Sequence, residues 1–196
     1  GEKIKEFEEN GNQKYIFGFE ESYGYLMGTF VRDKDAVIAV NIISEMALYY
    51  KKIGKTLNCV LEDLYKKYGF SSEELISIEL KGKEGQDKIS RCLETLRNMD
   101  KIQIEGMEIY KIQDYKLSIE KDLSNGNVEK ISLPISNVFK VIFKDKSWFA
   151  VRPSGTEPKM KIYLSVRGID EKSLSLNMNQ FKENVLDLIE KCMNQN

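Results

Sequence analysis

One loop and its two flanks constrain this chain more than any other feature. Arg152-Pro153-Ser154-Gly155-Thr156-Glu157-Pro158-Lys159 follows the aromatic and β-branched run Ser147-Trp148-Phe149-Ala150-Val151 and precedes the alternating run Lys161-Ile162-Tyr163-Leu164-Ser165-Val166. Both flanks read as strands. The loop between them has the composition of an anion seat. Pro153 fixes φ and holds the turn, and Gly155 permits positive φ or a close backbone approach. Amides from Ser154 to Glu157 can converge into a nest, with the Ser154 and Thr156 hydroxyls as further donors. Arg152 adds a planar fork suited to two oxygens of one phosphate. Glu157 reads as orienting Lys159 or a backbone amide. On composition alone, an ordinary hairpin turn with a solvated arginine fits equally well.

Composition excludes several classes of function. The 196 residues are 41% hydrophobic and 31% charged with a net charge of −1, values of a globular chain with room for one or two domains. A balance this close to neutral points to no nucleic-acid partner. No apolar run approaches the roughly 18–20 residues of a bilayer span, and the first residues show no signal peptide, so no membrane role is expected. Cys59, Cys92 and Cys192 stand far apart in a chain without histidine. They fit neither a zinc pattern nor a disulfide framework, and read as small packing residues in a reducing cytoplasm. The missing histidine also removes the commonest general base. The chain runs from Gly1 straight into a helical pattern, as a piece of something longer would.

Taken in order, residues 2–9 place Ile4 and Phe7 on one helical face, stopped by Asn10-Gly11-Asn12. Residues 14–19 read as a buried strand that delivers Glu20-Glu21-Ser22-Tyr23-Gly24-Tyr25 at its C-terminal end, the edge where open α/β sheets bind ligands. Two carboxylates, a hydroxyl and a glycine can read sugar hydroxyls, or can be a polar surface turn. Arg32-Asp33-Lys34-Asp35 reads as a charged cap, with Asp35 at a helix N-terminus. The helix that follows, 35–53, carries Val37, Val40, Ile43, Ala47 and Tyr50 at helical spacing, and a second helix runs from the Thr56 cap to Tyr68. Both stripes read as core. Phe70-Ser71-Ser72-Glu73-Glu74 reads as turn-like and sets a domain boundary, dividing the chain into 1–74 and 75–196. The second part reads as a strand at 75–80, a loop at 81–85, a helix at 86–98 with Ile89, Cys92, Leu93 and Leu96 inward, and strands at 103–105 and 108–123. A turn at 124–127, a strand at 138–143, the strand pair around the anion loop and a closing helix at 173–193 complete it. This order is an α+β layer, an antiparallel sheet with helices on one face.

The string from Arg152 to Lys159 resembles the phosphate-binding loop in the last domain of the α-D-phosphohexomutases, the phosphoglucomutase and phosphomannomutase family. Phe19-Glu20-Glu21-Ser22-Tyr23-Gly24-Tyr25 is similar to the sugar-binding loop of that family's third domain, and Arg32-Asp33-Lys34-Asp35-Ala36 to the charged segment after it. The resemblance implies the end of an α/β third domain with a mixed sheet, followed by the TATA-binding-protein-like fourth domain. It implies Glu20 and Ser22 as sugar-hydroxyl ligands. Lys34 would face the active site or move a proton, and Arg152, Ser154, Gly155 and Thr156 would hold the non-reacting phosphate. Lys161, one strand step beyond the loop, is a second cation for the same anion or a solvated strand residue. Family members interconvert hexose 1-phosphate and hexose 6-phosphate through a phosphoserine, a Mg²⁺ ion and a hexose 1,6-bisphosphate intermediate. Neither a phosphoserine motif nor an Asp-x-Asp-x-Asp loop occurs in this chain. The expected partners are therefore a hexose phosphate and the missing N-terminal mutase domains, with the chain itself inactive. A stand-alone sugar-phosphate-binding module is the alternative. With so little sheet in residues 1–70, an exposed apolar face and a dimer along it are also expected.

Overall fold

The computed structural model describes residues 2–11, 13–20, 23–99, 102–155 and 157–194. The chain forms two compact units, Gly1–Leu64 and Tyr65–Asn196.

The first unit holds α1 (Glu2–Asn10), β1 (Phe17–Phe19), β2 (Tyr25–Met27), α2 (Ala36–Lys52) and the start of α3 (Leu57–Tyr68). Local chemistry explains the helix ends. The Asp35 carboxylate accepts from the amides of Val37 (2.8 Å) and Ile38 (3.2 Å), satisfying two orphan donors of α2. Thr56 Oγ1 accepts from the Cys59 amide and does the same for α3. Gly54 and Gly69, at φ 78° and 92°, stop the two helices in the left-handed region. Ile4 and Leu26 are buried.

The expected core stripes of this unit are corrected. The strand is short, 17–19 rather than 14–19, and Phe17 and Phe19 are exposed. No residue of α2 or α3 is buried; Val37, Val40, Ile43, Leu61 and Leu64 all face outward. A helix apolar on every side needs cover on every side. Two paired three-residue strands are too small to supply it.

The second unit is a seven-stranded, wholly antiparallel sheet in the order β3-β9-β8-β7-β4-β5-β6. Its strands are β3 (Phe70–Glu79), β4 (Ile109–Asp114), β5 (Ile119–Asp122), β6 (Val128–Lys130), β7 (Phe139–Phe143), β8 (Trp148–Pro153) and β9 (Lys159–Gly168). Two helices, α4 (Gly82–Asn98) and α5 (Glu171–Asn194), pack on one face. Strand alternation aims Phe139, Val141, Phe143, Phe149, Val151, Met160, Ile162, Leu164 and Val166 at them. Ile89, Cys92, Leu93 and Leu96 of α4 and Phe181, Val185, Leu188 and Ile189 of α5 meet those side chains, as their spacing predicts. Phe181 sits edge-on to Phe143 with ring centres 5.5 Å apart. No helix among the described residues is long and apolar enough to cross a membrane.

Three sequence expectations change here. Residues 70–74 are strand, not turn, because β3 pairs with β9 along its whole length, from Phe70 opposite Gly168 to Glu79 opposite Lys159. An edge strand keeps polar side chains because backbone pairing holds it in place. Helix α4 begins at Gly82, so 82–85 are helical rather than loop. The run 108–123 is a hairpin, not one strand. Buried Asp114 accepts from the amides of Lys116 (2.9 Å) and Leu117 (3.3 Å), and Ser118 turns the chain at φ 56°. Arg97 donates its Nε to the same carboxylate at 3.0 Å and its Nη2 to Asn137 at 2.6 Å.

Candidate functional site

Two loops hold the residues singled out in the sequence, one in each unit. In the second unit, the β8–β9 ladder runs through Arg152 opposite Lys161 and Pro153 opposite Met160. The Ser154 amide then donates to the Lys159 carbonyl at 2.7 Å, closing the loop. Inside it, the Glu157 amide donates to Ser154 Oγ (3.2 Å) and the Lys159 amide to the Glu157 carbonyl (2.7 Å). The Leu80 amide donates to the Pro158 carbonyl and ties the loop to the end of β3. The expected nest is therefore narrower than Ser154 to Glu157, since the amides at both ends bond within the loop. Thr156 lies outside the described residues.

Lys159 Nζ stands 3.4 Å from Glu157 Oε1 and 3.8 Å from Glu79 Oε2. Glu157 thus holds Lys159. Arg152 and Lys161 differ. Directly opposite each other, they point to the face that carries no helix, and both are exposed. Neither has an ion-pair partner among the described residues. Like charges directly opposite on one face repel, so the pair is a standing cationic seat. Gly155 does not adopt a positive φ, contrary to one sequence expectation, and a Cβ built there meets nothing within 4 Å. The fold itself makes no demand for glycine at this position.

In the first unit, β1 and β2 pair from Phe17 opposite Met27 to Phe19 opposite Tyr25. The Glu20 amide extends the ladder to the Gly24 carbonyl at 2.8 Å. Ser22, with Glu21, lies outside the described residues. Tyr23 sits at φ 64°, a costly conformation for a bulky side chain, and is exposed. Lys34 Nζ lies 3.5 Å from Glu20 Oε1 and 3.1 Å from Asp33 Oδ1. Hydrogen bonding and charge from Asp33, with Glu20 adding to them, hold the Lys34 ammonium above the usual lysine range. The backbone and side chain of Lys34 in turn hold Asp33 below the usual carboxylate range. Gly24 is required by this packing: a Cβ there would lie 2.4 Å from Lys34 Cγ and 3.0 Å from Glu20 Oε2. Together with Tyr15 and Arg32, these residues line a recess of about 230 Å³. Arg32 is tied to Glu8 of α1 at 2.7 Å. Gly24 belongs to the sugar-reading string in the sequence, but neither its close packing against Lys34 nor the strained backbone at Tyr23 is legible there. The only available signal was a glycine between two tyrosines.

No group of three or more His, Cys, Asp or Glu among the described residues is placed to hold a metal. Asp33 is engaged by Lys34 and Asp35 by the α2 amides. These residues do not fit a magnesium ion.

The comparison with known families decides the assignment. Residues 2–68 match the family model for phosphoglucomutase/phosphomannomutase alpha/beta/alpha domain III, and residues 94–174 match that for the C-terminal domain. The chain belongs to the phosphoglucomutase/phosphomannomutase family. It is 42% identical over 156 residues to a phosphoglucomutase of Staphylococcus aureus strain bovine RF122 / ET3-1, covering 80% of this chain and 28% of the relative. It is 40% identical over 168 residues to that of strain MRSA252, covering 86% of this chain and 30% of the relative. The chain thus spans less than a third of the curated relatives it matches. Among solved structures, the open form of the Paramecium phosphoprotein pp63/parafusin, a phosphoglucomutase, overlays with a TM-score of 0.58 at 17% identity. That match covers 98% of this chain and 33% of the other, and shows a shared fold. Both loops of this family member lie within the matched segments.

Proposed function

We propose that this chain is the substrate-reading part of a phosphohexomutase that interconverts hexose 1-phosphate and hexose 6-phosphate, glucose or mannose being the sugar. The observation that carries the reading is the pair Arg152 and Lys161, without an ion-pair partner among the described residues, opposite each other beside a loop whose Gly155 opens onto free space. A phosphate dianion relieves their repulsion and accepts from both. Arg152 grips two of its oxygens, while Ser154, Gly155 and Thr156 complete the seat for the non-reacting phosphate. In the first unit, Glu20 and Ser22 accept and donate to sugar hydroxyls.

Lys34 serves as a cation that fixes Glu20 rather than as a base, since Asp33 and Glu20 stabilise its protonated form. The phosphoserine and the Mg²⁺ ion that assists transfer belong to parts of the full-length relatives that this chain does not span, with a hexose 1,6-bisphosphate as intermediate. Holding the substrate in place is much of what phosphoryl transfer asks of a protein. Free Cys59, Cys92 and Cys192 accord with a cytoplasmic setting.

The test is an NMR titration of the chain with glucose 6-phosphate, with a coupled mutase assay alongside. Expected are shifts centred on Ser154 and Gly155, weakened binding in Arg152→Ala, and no turnover. Shifts absent from the loop, or an Arg152→Ala chain that binds as well as the parent, would leave the loop a mere turn. Binding without turnover in the full-length protein would favour the stand-alone module.

A further inference from the structure

We infer, resting on the phosphate seat proposed above, that Leu80, Gly85 and Glu79 are positioning residues for it. They set its shape from the junction of β3 and α4, without touching the anion. The loop is held at both ends. At its start, Arg152 pairs with Lys161 and Pro153 with Met160 in the β8–β9 ladder. At its end, the Leu80 amide donates to the Pro158 carbonyl at 2.9 Å, just past the last rung of β3, where Glu79 lies opposite Lys159. Pro158 follows Glu157, whose amide donates to Ser154 Oγ at 3.2 Å. A shift of Leu80 therefore passes through Pro158 and Glu157 to a hydroxyl of the seat.

Leu80 is itself located from two sides. Its side chain packs against the core cluster of the second unit. Its backbone meets Gly85, buried in the first turn of α4. A Cβ on Gly85 would lie 2.6 Å from Leu80 Cβ and 2.7 Å from the Leu80 carbonyl carbon and oxygen. Two of those three atoms are backbone, so no change of rotamer relieves the clash. Glycine is a poor helix former, and helix stability alone does not ask for it here. Ordinary contact begins at 3.4 Å, so an alanine at 85 displaces Leu80 or α4 by several tenths of an ångström. Binding sites hold their geometry within about 0.5 Å. Glu79 adds a second tie. Its Oε2 lies 3.8 Å from Lys159 Nζ, which Glu157 holds from the other side at 3.4 Å. Lys159 thus joins the last residue of β3 to the acidic residue of the loop.

The test is an NMR titration of the full chain with inorganic phosphate, at a temperature where the variants are folded. Gly85→Ala changes no charge. It should shift the Ser154 and Gly155 amides before phosphate is added. It should also weaken binding by about threefold to thirtyfold, short of the hundredfold that a 1 Å misplacement can cost. Ile89→Val, a core change one turn further along α4, controls for general softening and should alter neither. Glu79→Gln should weaken phosphate by about twofold, the scale of an exposed ion pair, and should have no further effect once Lys159→Met is in place. Its sign is diagnostic, because removing a carboxylate near an anion would by charge alone tighten binding. Gly85→Ala binding as the parent does, an equal loss in Ile89→Val, or tighter binding in Glu79→Gln would overturn the positioning role and leave the seat intact. A parent whose loop amides ignore phosphate overturns the seat itself, and the positioning role with it. Should Gly85→Ala fail to fold, Glu79→Gln with and without Lys159→Met still decides.

Discussion

Replacing Lys161 by methionine should move stability and ligand binding in opposite directions. Lys161 stands directly opposite Arg152, and neither has an ion-pair partner among the described residues. Directly opposite residues have Cβ atoms about 5 Å apart, and unit charges at that separation repel by about 0.8 kcal/mol in water. A Debye length of about 8 Å at physiological ionic strength roughly halves it. Lys161→Met should therefore stabilise the second unit by a few tenths of a kcal/mol at low salt, and the gain should vanish near 1 M salt. A charge-assisted hydrogen bond contributes about 1.5–3 kcal/mol. Affinity for inorganic phosphate and glucose 6-phosphate should thus fall roughly tenfold to a hundredfold. Trp148, the sole tryptophan, lies on β8 in the same ladder, so its fluorescence during urea unfolding reports on this unit alone. NMR titration supplies the affinities. Lys144→Met, which removes an exposed lysine paired with Glu108, serves as control. Unchanged phosphate affinity, or a loss of stability that salt does not alter, would refute the reasoning.

Other outcomes follow from the same geometry. Gly155→Ala should leave urea unfolding within about 0.5 kcal/mol of the parent, since its Cβ meets nothing and its φ is ordinary, yet should weaken phosphate in the same titration; a large loss of stability would contradict this. Gly24→Ala should push the Lys34 side chain away from Asp33 and Glu20 and return the Lys34 ammonium toward its ordinary range, followed by NMR at the lysine side chain; an unaltered Lys34 titration would count against the packing described. Hydrogen bonds from Lys111 and then Gln113 hold Glu120 below its ordinary value of 4.5, so its contribution is present above that pH and lost as pH falls through the folded-state value. Glu120→Gln should accordingly be less stable at neutral pH and lose less stability on acidification, measured by Tm against pH; a steeper acid loss in the variant would reverse the assignment.

Much of the second unit was legible because alternation and burial coincide there. Phe139, Val141 and Phe143 alternate with half-buried residues, and the same two-residue period in β9 aims Met160, Ile162 and Leu164 at the helices. Periodicity failed where backbone pairing or a buried carboxylate replaced side-chain burial. Residues 70–74 are polar yet paired with β9, and the β4–β5 turn carries neither Gly nor Pro because Asp114 supplies its hydrogen bonds. In the first unit the helical spacing of α2 was correct, but spacing does not say whether anything covers a face.

At the candidate site, the residue types were determined by the sequence alone. An arginine, a proline, hydroxyls and a glycine between two strands announce an anion loop, and two short strings were enough to indicate the family. Tertiary structure decided which of those groups remain available. Closure of the β8–β9 ladder turned the Ser154 amide inward, while strand register set Lys161 against Arg152 on the open face. It also brought the Cys92 thiol within 3.8 Å of the Ile189 carbonyl, 97 residues away in sequence, across two helices. Local composition specifies which donors and charges are present. Only long-range pairing fixes whether each is spent on the fold or left facing a ligand, because a one-residue change of register sends a side chain to the other face.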